Sequence, residues 1–114
     1  MKKLINKWIN KIRCGLLKRC IEPNDIDKDQ MQELIKDGAI LIDVRSPQEY
    51  AEGHLEGAIC IPEYDIQKEI EKTINNKEQK IVLYCDSGGR SKKAQKKLEK
   101  MGYSAVYNLY KGIG

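Results

Sequence analysis

The sequence predicts an α/β fold in which a central parallel sheet is covered by helices on both faces. Two observations lead to this prediction. Short apolar runs alternate along the chain with segments whose apolar residues recur every three or four positions, as on one face of a helix. The runs, such as Ile81–Tyr84, lack polar alternation, which is typical of strands buried on both faces. Strands and helices that alternate in this way favour parallel strands joined by crossover helices.

The body of the chain is predicted to begin with a turn, a helix and a buried strand. Residues 21–27 contain the sequence Glu-Pro-Asn and indicate a linker. Asp27 is placed to cap a helix that closes at Gly38, because aspartate is a preferred N-cap and glycine often follows a helix end. Residues 39–44 are then predicted as a buried strand, with Asp43 near its C-terminal end.

A second helix and a second strand are predicted to be short. Ser46 as the cap, the proline directly after it and Glu49 three residues after the serine are agreeing signals for a helix start. Gly53 ends this helix, and residues 54–57 form a turn. Residues 58–62 predict a brief strand that stops at a proline.

The second half of the chain repeats the alternation. Residues 64–74 carry isoleucines at four-residue steps and predict a helix. The strand Ile81–Tyr84 follows, and after it a helix that ends at Gly102, a residue suited to a left-handed C-cap. Residues 105–109 predict the last strand.

The loop after Ile81–Tyr84 is the candidate functional site. Cys85 opens a six-residue loop that leads into a helix, so backbone N–H groups and the helix dipole favour an anion there and lower the thiol pKa. Gly88 and Gly89 let the backbone curl around the sulfur, and Arg90 adds a cation. These residues predict a thiolate nucleophile beside a cradle for one small anion. A buried, inert cysteine before an ordinary turn is the alternative. Asp43 should share the same sheet edge, where ligands bind in parallel sheets, and this favours a site.

Composition and charge narrow the function classes. The chain has 114 residues, enough for one domain with its own core, and a net charge of +4. Seven of the 21 Lys/Arg residues lie in residues 1–20, which hold no Asp or Glu, so acidic residues exceed basic ones in the rest of the chain. We therefore expect no nucleic-acid binding by the body. The spacing of the four cysteines is not that of a metal site or a disulfide framework, and we expect free thiols in the cytoplasm. Besides Cys85, these are Cys14, Cys20 and Cys60, which we expect to be bystanders.

Residues 1–20 are predicted to form a basic amphipathic helix, separate from a domain of residues 21–114. An apolar stripe that includes Trp8 lies opposite a row of lysines. Such a helix binds anionic lipid, which would make the protein peripheral to the inner membrane surface. Packing of the helix on the domain is the alternative.

Three segments of the chain resemble single-domain rhodaneses, the rhodanese-like sulfurtransferases. They are LIDVRSPQEYAEGHLEGAICIP (Leu41–Pro62), IVLYCDSGGRS (Ile81–Ser91) and GYSAVYNLYKGI (Gly102–Ile113). The resemblance covers about residues 21–113 and implies a rhodanese-like fold. It also implies that Cys85 accepts a sulfane sulfur as a persulfide and passes it to a thiophilic acceptor.

The resemblance further implies roles for the neighbouring residues. The loop would bind the transferred sulfur or a substrate anion through Asp86, Ser87, Gly88, Gly89, Arg90 and Ser91. Asp43, Arg45 and His54 would support the site through hydrogen bonds rather than take part in the reaction. No metal and no cofactor is implied. The expected partners are a small donor, such as thiosulfate or a low-molecular-weight persulfide, and a thiol, cyanide or protein acceptor, with the protein acting as a monomer.

The chain departs from the family pattern at two places. Many relatives carry a basic residue after the cysteine, whereas Asp86 here should raise the thiol pKa and repel a dianion such as thiosulfate. Relatives also continue past residue 113 with a further helix, so we expect the segment after Tyr110 to be weakly anchored.

Two other functions remain open at this point. A phosphatase or arsenate reductase on the same fold would have five residues between the cysteine and the arginine, whereas four lie between Cys85 and Arg90. A recruitment module with a vestigial loop is the non-enzymatic alternative.

Overall fold

Five parallel strands form one sheet in the computed structural model, which describes residues 22–114. The helix predicted within residues 1–20 lies outside the described residues. The strand order is β1-β5-β4-β2-β3, so β4 is the central strand. The strands are β1 (Asp25–Ile26), β2 (Ile40–Asp43), β3 (Ile59–Cys60), β4 (Ile81–Tyr84) and β5 (Val106–Leu109).

Helices cover both faces of this sheet, as predicted. They are α1 (Lys28–Lys36), α2 (Pro47–Glu52), α3 (Ile66–Thr73), which follows a 3-10 turn at Glu63–Asp65, and α4 (Gly89–Lys100). Apolar residues of α3 and α4 pack with Ile81 and Leu83 on one face. Residues of α1 and α2 pack with Val82 and Tyr84 on the other. Each residue of β4 is fully buried, and the unbroken apolar run of this strand is explained by its two covered faces.

The predicted helix starts are confirmed by their capping contacts. The Asp27 side chain accepts a hydrogen bond from the Gln30 N–H at 2.8 Å and begins α1. Ser46 accepts from the Glu49 N–H at 3.2 Å, and the Glu49 carboxylate accepts from the Ser46 N–H at 3.0 Å. The reciprocal pair fixes both the first turn of α2 and the position of the Glu49 side chain.

The linker predicted for residues 21–27 is wrong in part, because Asp25–Ile26 forms the edge strand β1. A two-residue strand is too short to leave a periodic pattern in the sequence. Its position depends on distant partners: Asp25 pairs with Asn108 of β5, and the Asn108 amide donates to the Asp25 carboxylate at 3.2 Å. The strand predicted for residues 58–62 is also shorter than expected, at Ile59–Cys60.

Among residues 22–114, every helix is too short or too polar to cross a membrane.

Candidate active site

The C-terminal ends of β2 and β4 lie side by side. Asp43, the last residue of β2, pairs with Tyr84, the last residue of β4, and Cys85 follows directly. Asp43 and Cys85 thus share one edge of the sheet, as predicted. The Cys85 residue is only 1% exposed.

The Cys85 sulfur is surrounded by hydrogen-bond donors of the loop. The Gly88 N–H donates to Sγ at 3.1 Å, and the Ser91 hydroxyl lies 3.5 Å from it. Burial, the largest single influence, would raise the pKa of the thiol. Hydrogen bonds from the Ser91 hydroxyl and from the backbone N–H groups of Ser91, Ser87 and Gly88 outweigh it, so the Cys85 pKa lies below its ordinary value. The arrangement favours a thiolate.

The two glycines of the loop differ in their roles. Gly88 is the N-cap of α4 and has a φ of +91°, a left-handed conformation that side chains disfavour. Gly89 is the first residue of α4, and a Cβ there would meet nothing within 4 Å. The curl of the backbone around the sulfur therefore requires glycine at position 88 and not at position 89.

The Arg90 side chain is held by α2. Its Nη1 and Nη2 donate to the two carboxylate oxygens of Glu49 at 2.7 and 3.0 Å, and Nη2 also lies 3.5 Å from Asp86 Oδ2. The Arg90 guanidinium holds the pKa of Glu49 well below its usual range. Arg90 thus ties the loop to α2, and Glu49 already balances its charge.

Asp43 and Arg45 form a buried ion pair behind the loop. The Arg45 Nε and Nη2 donate to the Asp43 carboxylate, the shortest contact being 2.7 Å, and Nη2 also donates to the Gly53 carbonyl at 2.6 Å. Arg45 Nη1 lies 3.4 Å from Asp86 Oδ1. One guanidinium therefore joins β2, the end of α2 and the loop, a supporting position like the one that the resemblance implied.

Tyr84 is a part of this network that sequence reasoning missed. Its hydroxyl donates to Asp43 Oδ2 at 2.8 Å and accepts from the Leu55 N–H at 3.0 Å. Burial, followed by the hydrogen bond to Asp43, raises the pKa of Tyr84 to about 12, so the hydroxyl stays protonated at neutral pH. An aromatic residue at the end of a buried strand gave no sign of this polar role.

His54 lies on the surface at the end of α2. Its Nδ1 is 2.8 Å from the Tyr50 carbonyl oxygen, so this nitrogen carries the proton and donates. The imidazole stacks on the Tyr50 ring with a centroid distance of 3.7 Å. Both contacts are with Tyr50 of α2 and neither joins His54 to the loop, so its supporting role stays a prediction.

The segment after Tyr110 is anchored on the loop, and the expectation of weak anchoring is wrong. The Ile113 N–H donates to the Cys85 carbonyl at 3.1 Å, and the Gly114 N–H donates to the Asp86 carbonyl at 2.8 Å. Gly112, with a φ of +67°, lies so close that a Cβ there would be 2.1 Å from the Asp86 carbonyl oxygen. Backbone groups alone make these contacts, so no side-chain pattern could indicate them.

Other features of the described residues lie apart from this loop. Cys60 ends β3 and is half-buried; burial and then the charge of Asp43 raise the pKa of its thiol. Residues 22–114 contain no group of three or more His, Cys, Asp or Glu side chains that could hold a metal. A groove of about 560 Å³ runs along α1 beside Tyr107. Apolar, amide and carboxylate groups line most of it, and no cysteine is among the lining residues.

A family model described as the rhodanese-like domain matches residues 27–114. The thiosulfate sulfurtransferase PspE of Escherichia coli is 37% identical over 67 residues, which are 59% of this chain and 64% of that protein. A sulfurtransferase of Allochromatium vinosum is 35% identical over 92 residues, which cover 79% of this chain and 84% of that protein. A solved rhodanese with anions from E. coli superimposes with a TM-score of 0.62 at 34% identity. The match covers 64% of this chain and 86% of the E. coli chain.

Some relatives are much longer than this chain and have another activity in their names. A tRNA uridine(34) hydroxylase of Buchnera aphidicola is 33% identical over 111 residues, which are 90% of this chain. The chain spans only about a third of that protein, at 34% of its length. The similarity to these hydroxylases is therefore a similarity to one part of them.

Proposed function

Since the chain belongs to the rhodanese-like domain family, we propose that it is a sulfurtransferase that carries a sulfane sulfur as a persulfide on Cys85. The observation that carries the proposal is the Cys85 sulfur itself, which is buried, surrounded by loop donors and lowered in pKa. A thiolate is the form of cysteine that attacks sulfur.

The proposed reaction has two steps, and in each of them a nucleophile attacks the sulfur that is transferred. The Cys85 thiolate attacks the outer sulfur of a donor, such as thiosulfate or a low-molecular-weight persulfide. An S–S bond forms to Sγ, the donor's own S–S bond breaks, and sulfite or a thiolate leaves with the electron pair. A thiol or cyanide acceptor then attacks the outer sulfur of the Cys85 persulfide, takes that sulfur and regenerates the thiolate. Such a relay gives ping-pong kinetics.

The loop supplies what a persulfide anion needs. The N–H groups of Ser87, Gly88 and Ser91 point at Sγ in the resting site, and the N-terminus of α4 adds its positive dipole end. These groups stabilise one negative charge on the sulfur before and after transfer. Arg90 forms an ion pair with Glu49, and its charge also attracts the Cys85 thiolate.

The phosphatase alternative has less support. Four residues separate Cys85 from Arg90, and the Arg90 guanidinium makes its two shortest contacts with Glu49 on α2. A phosphate dianion bound by the loop would have to compete with that carboxylate for the arginine. Cys85-dependent hydrolysis of an aryl phosphate faster than sulfur transfer would reverse this ranking.

The test is a sulfur adduct on one cysteine. The full-length protein is incubated with thiosulfate, and separately with a low-molecular-weight persulfide, and its mass is measured after removal of the donor. We expect the mass of one added sulfur, located by peptide mapping to Cys85. The adduct should disappear in Cys85→Ser and persist in the matched control Cys60→Ser. Absence of an adduct from both donors, or an adduct that remains in Cys85→Ser, would refute the proposal and favour a non-catalytic recruitment module.

A further inference from the structure

Asp86 is the residue next to the nucleophile, and it lies between two arginines. Its Oδ1 is 3.4 Å from Arg45 Nη1, and its Oδ2 is 3.5 Å from Arg90 Nη2. The Asp86 side chain is 47% exposed, so the carboxylate bridges the two guanidinium groups and still meets solvent. The carboxylate is therefore open to solvent on the residue directly after the nucleophile.

Each of the two arginines already has a stronger carboxylate partner. Arg45 Nη2 lies 2.7 Å from Asp43, and Arg90 Nη1 lies 2.7 Å from Glu49. The group therefore contains two guanidinium ions and three carboxylates, and its formal net charge is one negative before the Cys85 thiolate is counted.

The lysines of α4 do not reverse this balance. Three of them also have acidic partners: Lys92 with Asp25 at 2.6 Å, Lys96 with Glu22 at 3.3 Å and Lys97 with Glu63. Their positive field at the loop is compensated by these partners and screened by salt. The main favourable groups for an anion are the Ser91 hydroxyl and the backbone N–H donors around Sγ, with a further attraction from Arg90, and these stabilise a single charge on the transferred sulfur.

We propose that Asp86 sets the specificity of this site for sulfane-sulfur donors that carry at most one negative charge, and that it discriminates against dianions. The inference rests on the proposed sulfur transfer. When the thiolate attacks the outer sulfur of a donor, the leaving group lies on the far side of that sulfur, towards solvent. In thiosulfate that leaving group is sulfite, which keeps two charges, and the Asp86 carboxylate repels them.

Two donors that react in the same way but differ in charge isolate the effect of the donor's charge. Methanethiosulfonate has the same sulfonyl-bound outer sulfur as thiosulfate, with a methyl group in place of one charged oxygen. Attack by the Cys85 thiolate forms the same persulfide from both, and methanesulfinate or sulfite leaves with the electron pair. Because both donors meet the same thiolate, any change in its pKa cancels in the ratio of the two rates.

The experiment compares kcat/KM for the two donors in the wild-type protein and in Asp86→Asn. At a separation of about 6 Å in a water-like dielectric, each unit of donor charge changes the rate about threefold. The variant should therefore use thiosulfate about tenfold better and methanethiosulfonate about threefold better than the wild type. The matched control Asp29→Asn removes an exposed carboxylate from the first turn of α1 and should leave the ratio unchanged.

A second measurement needs no variant. Raising the ionic strength from about 0.01 to 1 M shortens the screening length from about 30 to 3 Å, so wild-type preference for the monoanion should weaken. Equal effects of Asp86→Asn on both donors, or a wild-type ratio that does not respond to salt, would overturn the inference. If neither donor transfers sulfur to the wild-type protein, the proposed function itself fails, which is a distinct result.

Discussion

Gly112→Ala should displace the loop that carries the nucleophile. A Cβ at this position would lie 2.1 Å from the Asp86 carbonyl oxygen and 2.6 Å from the Cys85 carbonyl oxygen. Carbon and oxygen atoms in contact are normally about 3.3 Å or more apart, so one of the two backbone segments has to move by about 1 Å. Both atoms that the Cβ would meet belong to the backbone, so no change of rotamer can relieve the contact.

The size of the effect follows from two separable terms. The left-handed φ of +67° at Gly112 makes alanine unfavourable by about 1–2 kcal/mol. Overpacking against the loop adds about 1–3 kcal/mol, so the free energy of unfolding should fall by about 2–5 kcal/mol in total. A displacement of about 1 Å at the reacting group should reduce the rate of sulfur transfer to Cys85 about 100-fold.

The matched control is Gly38→Ala. Gly38 has a φ of +94°, and a Cβ there would meet nothing within 4 Å. Gly38 lies just before the N-terminal end of β2, whereas the site lies beyond the C-terminal ends of the strands. The control should lose only the conformational term and keep the wild-type rate.

Urea unfolding of both variants measures the loss of stability. Single-turnover sulfur transfer, measured under conditions where both variants are folded, measures the loss of rate. A Gly112→Ala protein with the wild-type rate and no more destabilisation than Gly38→Ala would refute the reasoning.

Three further predictions concern the nucleophile and the network behind it. Alkylation of Cys85 should accelerate with rising pH and level off at a lower pH than that of Cys60, because one thiol pKa is lowered and the other raised; peptide-resolved mass spectrometry checks this. Ser91→Ala removes a donor to Sγ, so the Cys85 alkylation profile should shift to higher pH, and an unchanged profile would contradict the assigned hydrogen bond. Tyr84→Phe leaves the Leu55 N–H without its buried acceptor and should lower the free energy of unfolding by about 1–3 kcal/mol in urea titrations.

The parts of the fold that the sequence predicts correctly are those determined by nearby residues. The capping of α1 by Asp27 and of α2 by Ser46 involves side chains within three positions of each other. The buried strand β4 is equally visible, since it is a continuous run of four buried residues, three of them aliphatic. Local chemistry determines these elements, and a local pattern records them.

The parts that could not be predicted depend on partners far apart in the chain. Glu49 was recognised as a capping residue, but its pairing with Arg90, 41 positions away, follows only from the adjacency of α2 and the loop. The same holds for β1, which exists because of β5, and for the contact of Gly112 with Asp86. The charge state of the site depends on such pairs, so the sequence indicated a cation at Arg90 where the structure has a neutralised one.

The central place of β4 in the sheet has a consequence for the folding of the protein. Its two neighbours are β2, which precedes it in the chain, and β5, which follows it. The loop after β4 has its full support only when β5 has paired and the backbone donors of Ile113 and Gly114 have docked. In the unfolded chain the Cys85 thiol has the ordinary pKa of a cysteine, and a thiol is oxidised less readily than a thiolate. Folding of the last residues therefore creates the reactive form of this cysteine.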